Sequence, residues 1–208
     1  KDISSTIKLY FDTFKNVIKK PALILKTSGA TTSVMDRYDI LKKIKHIKKS
    51  CGGNIKTLPK VYLLHGDLAD DQMNELYNHP KVKAMVSLTH GEGFGRPLLE
   101  FATTGKPIMA SDWSGQVDFL NKGYTTLLPG DLKNVPKDSF PKNIYVKEAK
   151  WFVVNYGVVR SMLKNITKNY KKFKKKALKQ QQFAKKFTRD KMTEKLGEIL
   201  DAYLPIPV

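Results

Sequence analysis

The first apolar residues of the chain, Ile3, Ile7, Tyr10, Phe11, Phe14, Val17 and Ile18, recur at helical spacing and share one face. They predict a helix over residues 2–19, which Pro21 stops. Ala22, Leu23, Ile24 and Leu25 form an uninterrupted apolar run, the pattern of a short buried strand. The Ser-, Gly- and Thr-rich residues 28–33 read as a loop. A second helix begins near Asp36, carries Ile40, Leu41, Ile44 and Ile47 inward, and ends at Gly52-Gly53. The alternation then repeats. Residues 61–64 are a strand, His65-Gly66-Asp67 a turn, and Asp70 or Asp71 caps a helix holding Met73, Leu76 and Tyr77. Residues 84–88 form a strand with apolar residues on both faces, as in a covered parallel sheet. After a glycine-rich loop, residues 97–104 form a helix closed by Gly105, and residues 107–110 and 125–128 supply two more strands. From Glu148 to Tyr203 the pattern is helical throughout. Tyr170, Phe173, Ala177, Phe183 and Phe187 make a buried stripe there, and Thr188 or Asp190 caps a last helix carrying Met192, Leu196, Ile199 and Leu200.

Strands alternating with helices predict an α/β fold: a Rossmann-like, doubly wound parallel sheet with helices on both faces and a C-terminal helical extension. No linker or internal repeat divides the 208 residues. One domain is therefore expected, with an α/β core over residues 1–147 and helices over 148–208. At 41% hydrophobic the chain can bury a proper core. No apolar run is long enough to span a bilayer, and no signal-peptide pattern opens the sequence. The single cysteine, Cys51, excludes an internal disulfide and fits a reducing cytoplasm. The histidines show no metal-ligand spacing. Because the chain opens at Lys1 directly into a helical pattern, it reads as a fragment with more expected upstream.

The net charge of +19 admits nucleic acid, an anionic membrane surface or a phosphorylated substrate as partner. Its makeup tempers the first of these. Of the 38 basic residues only Arg37, Arg96, Arg160 and Arg189 are arginines, whereas readers of bases and phosphates favour the arginine fork. Lysine spread over helix surfaces also serves simply as a solvated face.

The chemistry concentrates after Leu88, at the carboxyl end of a predicted strand, where open α/β sheets bind ligands. Gly91, Gly93 and Gly95 let the backbone approach a ligand closely, and Gly95-Arg96-Pro97 opens a helix whose free amides and dipole suit a phosphate. Arg96 either adds charge there or faces solvent. Glu92 lies in the loop and Glu100 one turn into the helix; a carboxylate accepts two hydrogen bonds side by side and so suits a vicinal diol. One anchored diphosphate between two diol readers describes a nucleotide-sugar. The plainer alternative leaves Glu92 on the surface and pairs Glu100 with Arg96 (i, i+4).

The stretch Thr89-His90-Gly91-Glu92-Gly93-Phe94-Gly95-Arg96-Pro97-Leu98-Leu99-Glu100 resembles the Glu-x7-Glu signature of retaining GT-B glycosyltransferases of the group 1, or family 4, type. Residues 101–110, 111–118 and 61–77, and the helix after Lys1, resemble the family's surrounding segments, so the likeness covers nearly the whole chain. It implies one half of a GT-B fold, the acceptor domain lying N-terminal to this chain. Glu92 would be the catalytic-site carboxylate against the donor sugar. The Gly93, Phe94 and Gly95 amides and Arg96 would lie near sugar and phosphate, Lys1 would bind phosphate, and Glu100 would hold the ribose hydroxyls. Gly66, Asp67 and Leu68 would line the base; Thr89, His90, Ser114, Gly115 and Gln116 would close the pocket. The donor would be a UDP- or GDP-linked sugar, with neither metal nor cofactor. The donor phosphate would leave from the face the acceptor attacks, so configuration would be retained, and the chain alone would be inactive in transfer.

Two departures stand out. Phe101-Ala102-Thr103-Thr104 replaces the common Ala-Met-Ala, and Trp113 is unusual in its loop, where it either packs or offers a ligand platform. Three other readings stay open on the sequence: a nucleic-acid-binding module, a transferase whose acceptor is modified DNA, and peripheral membrane docking through the lysine-rich residues 164–186.

Overall fold

The computed structural model describes residues 3–27, 34–52, 57–139, 146 and 148–204. The elements run α1 Ile3–Phe14, β1 Leu23–Thr27, α2 Val34–Ser50, β2 Val61–His65, α3 Asp70–Asn78, β3 Met85–Ser87, α4 Arg96–Ala102, β4 Ile108–Ser111 and β5 Thr126–Leu128. They continue with β6 Gly130–Asn134, β7 Lys150–Val154, α5 Tyr156–Lys168, α6 Tyr170–Ala184 and α7 Arg189–Tyr203. A 3-10 turn at Gly115–Asp118 lies between β4 and β5, and another at Lys185–Phe187 links α6 to α7.

The α/β class is as the alternation predicts, with parallel strands covered by helices on both sides. β1 to β5 form two parallel ladders. β1 pairs with β2, Leu23 opposite Val61 and Thr27 opposite His65, while β4 lies between β3 and β5. The period of two sorts the side chains of the three-stranded ladder. Ile108 and Ala110 face α4 and α6 in a cluster with Leu98, Phe101, Phe119 and Ala184. Met109, Leu128 and the partly buried Val86 face the other way, onto Leu9 of α1 and Val159 and Ile166 of α5. A third cluster packs Ile7, Tyr10, Phe11 and Phe14 of α1 against Ile44 of α2 and the inner residues of β1 and β2. Helix α1 thus serves both ladders.

Several predicted boundaries move. Helix α1 ends at Phe14, and Ile18, expected to be inward, is 97% exposed. By Phe14 the apolar face is already buried. The chain then turns into β1, with the Tyr10 hydroxyl donating to the Pro21 carbonyl at 2.5 Å. Burial pushes that phenol well above its usual pKa. Leu41 stays on the outer side of α2. Ala69, rather than Asp70 or Asp71, stands at the start of α3, its amide donating to the Gln72 side chain at 3.0 Å; the two aspartates occupy the first turn, where the helix dipole favours them.

The largest correction concerns residues 148–203, expected to be all helix. Strand β7 pairs antiparallel with β6, an element the pattern did not indicate; Gly130 lies opposite Val154 and Asn134 opposite Lys150. Alternation decides the matter: Phe152 and Val154 both point into the core beside β4, which a helix could not arrange two residues apart. The all-helical part begins only at Tyr156. Asn155 starts it, its side chain accepting the amides of Gly157 at 3.0 Å and Val158 at 3.2 Å. Asn155→Ala should lower stability by about 1 kcal/mol in urea denaturation with an unchanged slope.

The stripe of α6 faces inward as expected. That of α7 does not: Met192, Leu196, Ile199 and Leu200 are all more than two-fifths exposed, and no residue of the helix is buried. Among the described residues no helix is long and apolar enough to cross a membrane.

Candidate functional site

Two loops at the carboxyl ends of β3 and β4 meet at the main chain of Glu92. The Ser114 hydroxyl donates to the Glu92 carbonyl at 2.6 Å and accepts the Glu92 amide at 3.2 Å; the Gly115 amide donates to the same carbonyl at 3.1 Å. Glu92 is therefore fixed by its main chain at the rim of the domain. The approach is close enough that a Cβ on Gly115 would lie 2.1 Å from the Gly93 carbonyl oxygen. Below them Gly95 adopts φ 89°, a left-handed conformation, and starts α4 directly over Gln116 and Phe119.

Ser114 holds φ 72° and ψ −166°, the only non-glycine residue at positive φ among the described residues. That region is essentially reserved for glycine, and a side chain there costs on the order of 1–3 kcal/mol. The two hydrogen bonds to Glu92 offset the strain. Ser114→Ala keeps the strain and removes the bonds, so it should destabilise by about 1–2 kcal/mol. Ser114→Gly removes both and should cost less. Thermal denaturation of the pair checks this, and a glycine variant less stable than the alanine one would contradict it.

Of the predicted site residues, the structure brings Glu92, Gly93, Phe94, Gly95, Ser114, Gly115 and Gln116 into one contact region. Phe94 leans on Phe119 with ring centres 5.1 Å apart and keeps an exposed edge. Gln116 is fully buried beneath the loops, its Nε2 donating to Ser111; it supports the rim from behind and does not face the opening. Thr89 is buried too, its hydroxyl donating to the Gly91 carbonyl at 2.9 Å. The His90 ring stacks on Trp151 at 3.9 Å, and its Nδ1 lies 2.7 Å from the Phe152 carbonyl, so it is that nitrogen which carries the proton. Thr89 and His90 therefore shape the loop.

Glu100 receives the Arg96 guanidinium at 2.5 Å, and Arg96 also reaches Asp70 at 3.9 Å. The pairing named as the plainer alternative is thus formed. These carboxylates, the hydrogen bond to Glu100 foremost, raise the Arg96 pKa further. The ion pair is surface-exposed and so worth little by itself, leaving Glu100 able to exchange partners. The contact with Asp70 sets the start of α4 beside the start of α3, which follows the turn Gly66, Asp67 and Leu68 after β2. There Gly66 takes φ 110°, donates to the Thr27 carbonyl at 3.0 Å and accepts Lys26 at 2.7 Å. The start of α4 offers fewer donors than a long helix would. It has seven residues, Pro97 has no N–H, and the amides of Leu98 and Leu99 both donate to the Gly95 carbonyl. Lys1 lies outside the described residues.

Sequence reasoning missed the wall that β7 adds. Trp151 covers His90, and Phe152 stacks on Trp113 at 5.7 Å and 5°, while its amide donates to the His90 carbonyl at 3.2 Å. Trp113 therefore packs on one face and remains two-fifths exposed. The available signal was the run Trp151-Phe152-Val153-Val154, rich in the aromatic and β-branched residues that strands prefer.

Parallel strands covered on both sides, with glycine loops meeting at their carboxyl ends, define a doubly wound α/β fold. Two solved structures of Anabaena Alr3699/HepE share it, one in complex with UDP and glucose and one with UDP-glucose. Their TM-scores are 0.62 and 0.60 at 14% identity, over 93% of this chain and 44% of theirs. The chain thus spans less than half the length of those proteins. No protein-family profile matches the sequence, and no curated protein does.

Proposed function

We propose that this chain is the donor-binding part of a glycosyltransferase that uses a nucleotide-diphosphate sugar, of the retaining GT-B type its Glu-x7-Glu segment resembles. One observation carries the reading above the rest. Glu92 is pinned by its backbone at the end of β3, while Glu100 stands one turn into α4 in an exposed pair that a ligand can displace. In this arrangement the ribose diol takes Glu100, Arg96 is released toward the diphosphate, and Glu92 meets the sugar. The fold shared with structures holding UDP and glucose supports the same assignment. Transfer would break the bond between the sugar and the diphosphate and form one to an acceptor hydroxyl, whose proton leaves with the diphosphate. Charge growing on that leaving group is what the cationic and amide donors of the site would stabilise.

The two carboxylates separate by experiment. Glu100→Ala should weaken a nucleoside diphosphate and its sugar conjugate equally, on the order of 10–100-fold for two lost charge-assisted hydrogen bonds. Glu92→Gln should weaken only the conjugate. Calorimetric titration of both ligands reads the two effects. Equal affinities for all variants would sink the proposal.

A further inference from the structure

From Ala149 to Arg189 the chain contains thirteen Lys or Arg residues and no Asp or Glu, so this stretch supplies most of the net charge of +19. Its densest part is α6. Lys172, Lys175, Lys176 and Lys179 repeat at i, i+3, i+4 and i+7, which sets four exposed ammonium groups on one face. Together with Gly123 and Tyr124 they line a concavity of about 250 Å³. Lys179 also lies over the Tyr124 ring at 6.0 Å. The positive field continues around the base of the domain. Lys174 donates to the Gly105 carbonyl at 2.6 Å, Lys106 to the Tyr77 and His79 carbonyls, and Lys83 sits over Tyr170. Burial first, and then neighbouring lysines, hold Lys106 and Lys174 below the usual lysine pKa.

The four lysines flank the turn at Gly123 and Tyr124, and none of the loop residues around Glu92 and Ser114 lines that concavity. The lysines are also unsuited to reading a fixed array of bases. No arginine stands among them, and the aromatic residues of α6, Tyr170, Phe173 and Phe183, are turned partly into the fold and present no stacking platform. Four flexible point charges on one helix face fit laterally mobile anionic headgroups, which adjust to the cations instead of imposing a register. The apolar stripe of α6 is spent on the core, so attraction to such a surface is electrostatic and not insertive.

We propose that the α6 face built on Lys172, Lys175, Lys176 and Lys179 docks this chain onto a bilayer that carries anionic lipid. The inference is independent of the donor assignment. Co-sedimentation with phosphatidylcholine vesicles, with and without phosphatidylserine, tests it. Binding is expected only with the anionic lipid, and is expected to vanish near 1 M salt, where screening acts within about 3 Å. Replacing the four lysines by glutamine should lower partitioning on the order of 100-fold or more. The same loss of charge on α2, at Lys42, Lys43, Lys45 and Lys49, should leave most of the binding intact. Equal binding to neutral vesicles, persistence in high salt, equal loss from the α2 variant, or tighter binding to duplex DNA or RNA at matched ionic strength would each overturn the proposal. The salt titration uses the unsubstituted chain and so stands even where a variant fails to fold.

Discussion

Gly115→Ala is expected to drive the two glycine loops apart and to cost more at the site than any other single methyl group. The added carbon would lie 2.1 Å from the Gly93 oxygen, 2.7 Å from its carbonyl carbon and 3.0 Å from the Phe94 Cα. All three are backbone atoms, so no rotamer change relieves the clash, and the Ser114 and Gly115 bonds to Glu92 must break as the loops separate. A destabilisation of about 2–3 kcal/mol follows from overpacking of this kind. Donor affinity should fall by roughly 100-fold, as expected when several oriented hydrogen bonds are lost together. Gly93→Ala is the matched control: its Cβ would meet nothing within 4 Å, so stability should barely change. Urea denaturation and donor titration of the two variants check the pair of outcomes. If Gly115→Ala proves as stable as Gly93→Ala, the loops do not meet as described.

Phe119→Ala should have the largest effect on folding. Its ring is fully buried beneath Gly95, next to Phe94 and Phe187, and it joins the 3-10 turn after β4 to α4 and α6. Truncating a buried phenylalanine costs about 3–5 kcal/mol. In a domain of this size that is a large share of total stability, and the midpoint of thermal unfolding should drop accordingly. The change also removes the floor under the loop, so the remaining folded fraction should bind donor poorly. A loss below 1 kcal/mol would mean that the site rests on other contacts.

The parts of the fold that depend on local signals are legible in the sequence. The segment from β3 through the loop to α4 is punctuated by Gly91, Gly93, Gly95 and Pro97, which report backbone demands directly. The inward stripe of α6 followed from spacing alone, despite its lysines. What depended on distant partners was not legible. Five residues at Lys150–Val154 do not separate strand from helix by periodicity, and the lysine-rich helices that follow drew the whole region into one pattern. The outward stripe of α7 shows the converse: periodicity identifies an apolar face but not what covers it. At the site, Glu92 and Glu100 were visible as a pair at fixed spacing. The clamp that orients Glu92 was not, because Ser114 occupies a conformation its identity argues against. Nor could spacing join Asp70 to Arg96, twenty-six positions apart. The general site followed from chemistry in a short segment, and its rigidity from contacts between segments.

In the proposed complex Glu100 exchanges Arg96 for the sugar hydroxyls of the bound nucleotide. A crystal structure of this chain with whichever of the uridine, guanosine or adenosine diphosphates titrates most tightly tests it most directly. Expected are the ribose hydroxyls on the Glu100 carboxylate, the diphosphate beside the Gly93–Arg96 loop, and Arg96 turned away from Glu100. A nucleotide bound elsewhere, with the Arg96–Glu100 pair intact, would contradict it.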